Sequence, residues 1–170
     1  MTAFTSLVLL CTASLVCDAV VINSIDEFKQ WAKTANEANT TIEEDVELKS
    51  DLSFDAEATK LVPLGYANKA KYTGKFNGNG HTISNLNVGA DGSIDYAGLF
   101  YGLKNAVVEN LVFDSSCSFT AGVHGGSVCF IVTGPTTLSN VVNYANVKGE
   151  NGVAGLVAES KATLTIKNCI

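Results

Sequence analysis

The residues of this chain that could do chemistry are few and dispersed. The candidate acids are Asp51, Asp55, Asp95, Asp114 and Glu109. Hydrolysis of a glycoside by paired carboxylates needs the two groups held ~5 to 9.5 Å apart. No spacing between these acids recurs, and they fall at different phases of the repeat described below. His81 follows Gly80 at the entry to a strand pattern. As a general base it would need an orienting partner, and no candidate stands near it in the chain. Asp91-Gly92-Ser93-Ile94-Asp95 alternates oxygen-bearing side chains, so Asp91, Ser93 and Asp95 could hold calcium weakly. The bidentate Glu that completes a calcium loop does not follow, and an acidic turn is the simpler reading. Gly78 and Gly80 are not a phosphate loop, because no Lys-Ser/Thr follows and the next segment reads as a strand.

Cysteine chemistry is equally sparse. Cys117, Cys129 and Cys169 follow the amino-terminal segment, with no CxxC pair and only two distant histidines. A zinc site is not expected. In an oxidising compartment Cys117 and Cys129 could pair if the segment between them doubles back. The favoured alternative makes all three small core fillers, since each falls at an apolar repeat slot. No catalytic constellation, cofactor site or metal centre is expected. Asn39-Thr40-Thr41 is a glycosylation sequon, with Asn39 as acceptor in a eukaryotic host.

The elements around these residues are organised by a recurrence. Apolar-x-Asn-apolar appears as Ile83-Ser84-Asn85-Leu86, Val108-Glu109-Asn110-Leu111, Leu138-Ser139-Asn140-Val141 and Ile166-Lys167-Asn168-Cys169, at steps of 25, 30 and 28 residues. Strand-like residues at such a period indicate stacked coils. The long 3.6-residue periodicity of a helical repeat is missing. A parallel β-helix fits, each coil adding strands ~4.8 Å above the last. Stacked in register, Asn85, Asn110, Asn140 and Asn168 would form an internal ladder, each carboxamide donating to one neighbour and accepting from the other. A second recurrence supports the register. Ala97-Gly98-Leu99-Phe100 and Ala154-Gly155-Leu156-Val157 lie upstream of the second and fourth Asn, and Val128-Cys129-Phe130-Ile131 takes the slot between, with Cys129 where the others have Gly.

These segments resemble the GLUG-motif repeats of secreted and surface proteins. Ala97-Gly98-Leu99-Phe100-Tyr101-Gly102 is similar to the name-giving motif with one inserted Tyr. Leu138 to Val147, followed by Val153-Ala154-Gly155-Leu156-Val157, is similar to a full repeat. Leu61-Val62-Pro63-Leu64-Gly65 and Tyr72 to Ile83 resemble the segment that precedes such repeats. Departures are Ala158, where Gly is usual, and the coil through Val128-Cys129. The resemblance implies an all-β fold, a right-handed parallel β-helix of the pectin-lyase type, in adhesin-like surface proteins. Enzymes of that fold set acids, or calcium with a basic residue, on one exposed sheet face, and the acids of this chain do not assemble into such a set.

Composition agrees with one folded domain. Of 170 residues 46% are hydrophobic, two are proline, and the formal net charge is −6 with no arginine. Nucleic-acid binding is not expected without guanidinium forks or a basic run. Residues 1–19 read as a signal peptide, with the apolar run Leu7–Val16 too short to span a bilayer. No other stretch could span one, so no transmembrane segment is expected after cleavage. Residues 20–40 hold a capping helix with Ile25, Phe28, Trp31, Ala32 and Ala35 on one face. Trp31 is expected to plug the core. Residues 41–170 form the β-helix, its last coil expected to be open and to offer a route to self-association. The functional expectation is a secreted or surface β-helix whose partners are glycans or extracellular proteins. The alternative is a polysaccharide lyase or glycoside hydrolase of the same fold.

Overall fold

The computed structural model describes residues 19–37, 41–55, 61–90 and 92–170. Residues 1–18 of the expected leader, the sequon residue Asn39 and the calcium candidate Asp91 lie outside the described residues. The described chain winds as a β-solenoid of about five turns with one helix. Every strand pairing in it is parallel. The widest sheet stacks Val20–Ile22, Val46–Leu48, Lys75–Asn77, Val107–Phe113, Thr136–Asn143 and Leu164–Lys167, with Leu52–Ser53 and Thr82–Ser84 extending it sideways. A five-stranded sheet stacks Thr41–Ile42, Lys71–Tyr72, Phe100–Leu103, Cys129–Val132 and Val157–Ser160. Two narrower sheets, of three and two strands, lie along the later coils.

The register is set by which side chains point inward. Val46, Phe76, Val108, Leu138 and Ile166 stand one above another in the widest sheet. The steps between them are 30, 32, 30 and 28 residues. The first four are fully buried, and Ile166, in the last coil, is half exposed. Phe76, Phe100, Phe113 and Phe119 are fully buried too, with Phe113 and Phe119 edge to face at 5.3 Å. Each such side chain contributes about 1.5–3 kcal/mol by leaving water. A one-residue slip of any coil would turn its inward set outward, so the pattern fixes the stacking.

The coil bends where Asn takes a left-handed backbone. Asn110, Asn140 and Asn168 have φ of 53°, 52° and 51°, a conformation that costs most side chains about 1–2 kcal/mol and that Asn tolerates. Val108 and Leu111 both point inward with two residues between them, and the left-handed Asn absorbs the extra residue. The carboxamides then run as a column. Asn110 Nδ2 donates to Asn77 Oδ1 at 3.0 Å, Asn140 Nδ2 to Asn110 Oδ1 at 2.8 Å, and Asn168 Nδ2 to Asn140 Oδ1 at 3.4 Å.

This column differs from the expected ladder in two respects. It lies at the surface: Asn77 and Asn110 are half-buried, Asn140 and Asn168 exposed. Its lowest member is Asn77, not Asn85. Ile83 pairs with Phe113, which sets Asn85 at the next corner of its coil. There it is also left-handed, at φ 57°, and its Nδ2 donates to Ser53 Oγ at 3.1 Å while its main-chain N–H donates to Ser116 Oγ at 2.8 Å. The same four-residue pattern makes two different corners, because it encodes a bend between inward residues and not a position in the coil. The Gly-rich turn through Asn79 and Gly80 is the insertion that separates them.

The slot of Gly98 needs a parallel correction. Phe100 pairs with Cys129, and Cys129 with Val157. Ser127 therefore occupies the position of Gly98 and Gly155, and Cys129 stands where Phe100 stands. A Cβ on Gly98 would come within 2.7 Å of the Cys129 Cα, so only a small residue fits. Ser127 is accepted because its buried hydroxyl donates to the Gly155 carbonyl at 2.6 Å.

The helix Ile25–Glu37 begins after Ser24, whose Oγ accepts the Glu27 N–H at 3.3 Å, while Glu27 reaches back to the Asn23 N–H at 2.6 Å. This reciprocal arrangement is close to a capping box. Val20–Ile22, counted with the helix in the sequence reading, is instead a strand paired with Val46–Leu48. Phe28, Trp31, Ala32 and Ala35 are buried. Trp31 lies 6.1 Å from the Phe76 ring and 6.4 Å from the Tyr72 ring, and Phe28 meets Phe54 at 5.4 Å. Asn36 Oδ1 accepts the Gly65 N–H at 2.8 Å and ties the helix to the following loop.

Gly98→Ala is expected to cost about 1–3 kcal/mol through overpacking. Gly155→Ala, in the same slot two coils on, is expected to stay within about 0.5 kcal/mol, because its nearest neighbour is 4.0 Å from the added carbon. Urea midpoints that fall equally would contradict the packing argument. Asn110→Ala loses two carboxamide bonds and the left-handed preference together, about 1–3 kcal/mol. Asn110→Gly keeps the backbone preference and is expected to be milder, and Asn151→Leu in an exposed turn to be near neutral. If the Gly variant is the worse of the two, the bend is not what Asn110 supplies.

Candidate functional site

The outer face of the widest sheet carries most of the groups that could meet a ligand. One column runs Glu47, Asn77, Glu109, Ser139, Lys167, and beside it runs Lys75, Val107, Thr137, Thr165. Lys75 Nζ pairs with Glu109 Oε1 at 2.8 Å, and Lys49 Nζ with Glu47 Oε2 at 2.7 Å. The hydrogen bond from Lys75 to Glu109 holds the Lys75 ammonium above its ordinary range. The bond and charge of Lys49 hold Glu47 below its own. These pairs are solvated and stabilise little.

His81 does have an orienting partner. Its Nδ1 lies 3.1 Å from Asp51 Oδ1, and the same oxygen accepts the Thr82 N–H at 2.9 Å. The Thr82 bond, then the His81 bond, hold the Asp51 carboxyl below the usual carboxylate range. Asp51 belongs to the coil below, so the pair exists only through stacking. An imidazole steadied at one nitrogen by a carboxylate can serve as a base through the other.

The remaining acids do not join it. The Ser116 hydroxyl, and then the Ser116 N–H that donates to Asp114 Oδ1 at 2.9 Å, lower the pKa of Asp114 and commit it to a corner turn. Glu109 is held by Lys75. The Asp95 carbonyl accepts the N–H groups of Val123 and His124, so its main chain has a structural task, and Ser93 lies exposed in the same turn. Among the described residues no group of three or more His, Cys, Asp or Glu side chains could hold a metal ion. Cys117, Cys129 and Cys169 are free thiols. Burial pushes the Cys117 and Cys129 thiols up, away from the reactive thiolate. No described helix is long and apolar enough to cross a membrane.

One feature was not anticipated from the sequence. Tyr101, Phe130 and Ile131 form a second apolar cluster, separate from the main core, with Tyr66, Tyr96 and Ala158 packed on it. Tyr96 stacks on Phe130 at 4.1 Å and on His124 at 6.2 Å. Tyr66 and Tyr96 both meet Tyr101 edge to face, at 6.0 and 5.9 Å. Lys71 Nζ sits 4.4 Å over the Tyr101 ring and donates to the Lys69 carbonyl at 2.8 Å. Burial lowers the Lys71 pKa and raises that of Tyr101. The Tyr66 hydroxyl accepts the Asp95 N–H at 3.1 Å, so the cluster pins two loops to the solenoid wall. Its sequence signal is the unbroken apolar run Val128 to Val132, where a one-sided strand would alternate.

No family model matches this chain, and no solved structure matches it. Among curated proteins it is similar to Halomucin of Haloquadratum walsbyi (strain DSM 16790 / HBSQ001), 29% identical over 158 residues. The match takes in 88% of this chain and 2% of Halomucin, so the chain spans a very small part of that protein's length.

The depressed Asp51 carboxyl gives a signed expectation. A carboxyl with a folded pKa below its unfolded value stabilises the fold above the unfolded value, about pH 4, and loses that contribution as pH falls through the folded value. The difference in urea midpoint between the parent chain and Asp51→Asn is therefore expected to be level from about pH 7 to about pH 5 and to shrink below about pH 4. A difference that stays constant down to acid pH would remove the Asp51–Thr82–His81 linkage.

Proposed function

We propose that this chain is a secreted or cell-surface β-solenoid, akin to the GLUG-motif repeat proteins, that presents a structural or ligand-binding surface to glycans or extracellular proteins. The observation that carries this reading is the outer face of the widest sheet. Its polar side chains stand in straight columns contributed by successive coils, at the ~4.8 Å spacing of stacked strands. A flat periodic array of hydroxyl, carboxamide and charged groups suits an extended, repetitive partner better than a small molecule, which would need a concave site. An acidic, arginine-free composition fits a solvated exterior. The likeness to part of Halomucin is compatible with this reading.

The test is a screen of the secreted chain against arrays of polysaccharides and extracellular proteins. The double variant Thr137→Glu, Thr165→Glu alters the face and leaves the core untouched. Binding to an extended glycan or protein is expected, and is expected to be lost in the double variant with no change in urea midpoint. Retention inside the producing cell together with an absence of any binder would end the proposal.

A second reading, a polysaccharide lyase or glycoside hydrolase of the pectin-lyase-like fold, is favoured by one observation, the orientation of His81 by Asp51. It requires turnover of a polysaccharide that disappears in His81→Ala. Turnover that survives that change would assign catalysis elsewhere, and turnover by no polysaccharide would leave the first reading alone.

A further inference from the structure

Three Asn-Gly pairs occur in the chain: Asn77-Gly78, Asn79-Gly80 and Asn151-Gly152. Such a pair can react with itself. The glycine nitrogen attacks the asparagine Cγ, closes a five-membered imide and expels ammonia. Glycine offers no side chain to hinder the attack, so what decides the rate is whether the carboxamide is free to approach and whether the nitrogen can lose its proton.

The three sites differ on both points. Asn77 Oδ1 accepts from Asn79 N–H at 2.9 Å and from Asn110 Nδ2 at 3.0 Å, and Asn79 Nδ2 donates to the Leu48 carbonyl at 2.7 Å. Both carboxamides are held. The N–H groups of Gly78 and Gly80 donate to the carbonyls of Glu109 and Asn110, each at 2.8 Å. A carbonyl oxygen is a poor base and cannot usefully take the proton. Asn151 is exposed, and among the described residues nothing holds its carboxamide. Its following nitrogen has a different partner: the Gly152 N–H donates to His124 Nδ1 at 3.1 Å.

The His124 ring is fixed for this contact. It stacks on Tyr96 with an interplanar angle of 10° and tilts against Phe130 at 5.6 Å. In this contact Nδ1 is the acceptor, the role it has in the tautomer that carries its proton on Nε2. It lies so close to Gly152 that a Cβ there would run into it. Asn151 N–H donates to Val123 O at 3.0 Å, and Gly152 O accepts from Gly125 N–H at 2.9 Å, so the main chain is held on both sides of the reacting bond.

We propose that Asn151 is a site of self-catalysed deamidation, with His124 as the general base that removes the proton of the Gly152 nitrogen. The nitrogen's electron pair forms the N–Cγ bond as its proton passes to Nδ1. The tetrahedral centre then collapses, the C–N bond to the amide nitrogen breaks, and the imidazolium returns the proton so that ammonia leaves. Water opens the imide at either carbonyl, leaving aspartate or isoaspartate at position 151. No oxidant or cofactor enters. The product adds a negative charge beside Glu150, and in the isoaspartate form a methylene in the main chain, next to the Gly125–Val153 bridge between two successive coils.

The experiment holds the full chain in neutral buffer, folded and in denaturing urea, and follows amide-to-acid conversion at each Asn-Gly pair by peptide mass mapping over time. General-base assistance is ordinarily worth about 10²-fold or more, so even imperfect alignment should be visible. Asn151 is expected to convert severalfold faster folded than in urea, while Asn77 and Asn79 convert more slowly folded than in urea. His124→Gln is expected to remove the folded-state excess at Asn151 and leave the rate in urea unchanged. If that variant does not fold, the folded-to-urea ratio of the parent chain decides. A folded rate at Asn151 at or below its rate in urea overturns the proposal, as does a folded His124→Gln that converts as fast as the parent.

Discussion

The constraint on which this structure depends is parallel stacking in strict register. Each coil is too short to bury its own apolar residues, and Phe76, Val108 and Leu138 are buried only because neighbours above and below cover them. Everything else follows from keeping that stack straight. The left-handed asparagines let each coil turn without displacing the inward set. The small residues at Gly98 and Ser127 let adjacent main chains approach. The helix lays Phe28 and Trp31 against Phe54 and Phe76 of the first coils. These devices add to the stack as nearest-neighbour terms, the ordinary energetics of a solenoid.

What could be read from the sequence was whatever a single coil encodes locally. Inward apolar residues flanking an Asn marked the corners, and Gly98 marked a close approach, whereas Gly155, expected to be equally crowded, has open space beside it. The helix with its buried face of Phe28, Trp31, Ala32 and Ala35 was legible from spacing alone. What failed was assignment between coils. Asn85 carries the same local pattern as Asn110 but sits at another corner, and the step of 25 residues from Ile83 to Val108, short of the 28 to 32 in the stack, was the warning. The slot of Cys129 was misread by two residues for the same reason: an insertion changes the count without changing the local signal.

The pairing of His81 with Asp51 shows the limit most clearly. The two are 30 residues apart and touch only because one coil lies on the next. No local pattern relates them, so the partner becomes visible only after the register is known. The aromatic cluster around Tyr101 and Phe130 was missed for a different reason. The eye assigns apolar residues in a strand to one buried face, yet this sheet is covered on both, and the loops that cover its outside come from Tyr66 and Tyr96 in other coils.

The asparagine column also has a direction. Asn110, Asn140 and Asn168 each donate toward the lower-numbered coil and accept from the higher one. Their amide dipoles therefore point the same way and add along the axis, and each bond polarises the next. The column behaves as a thin wire of aligned dipoles, with partial positive charge toward Asn77 and partial negative charge at the Asn168 oxygen. The axis of the solenoid is consequently polar in the electrostatic sense as well as in chain direction.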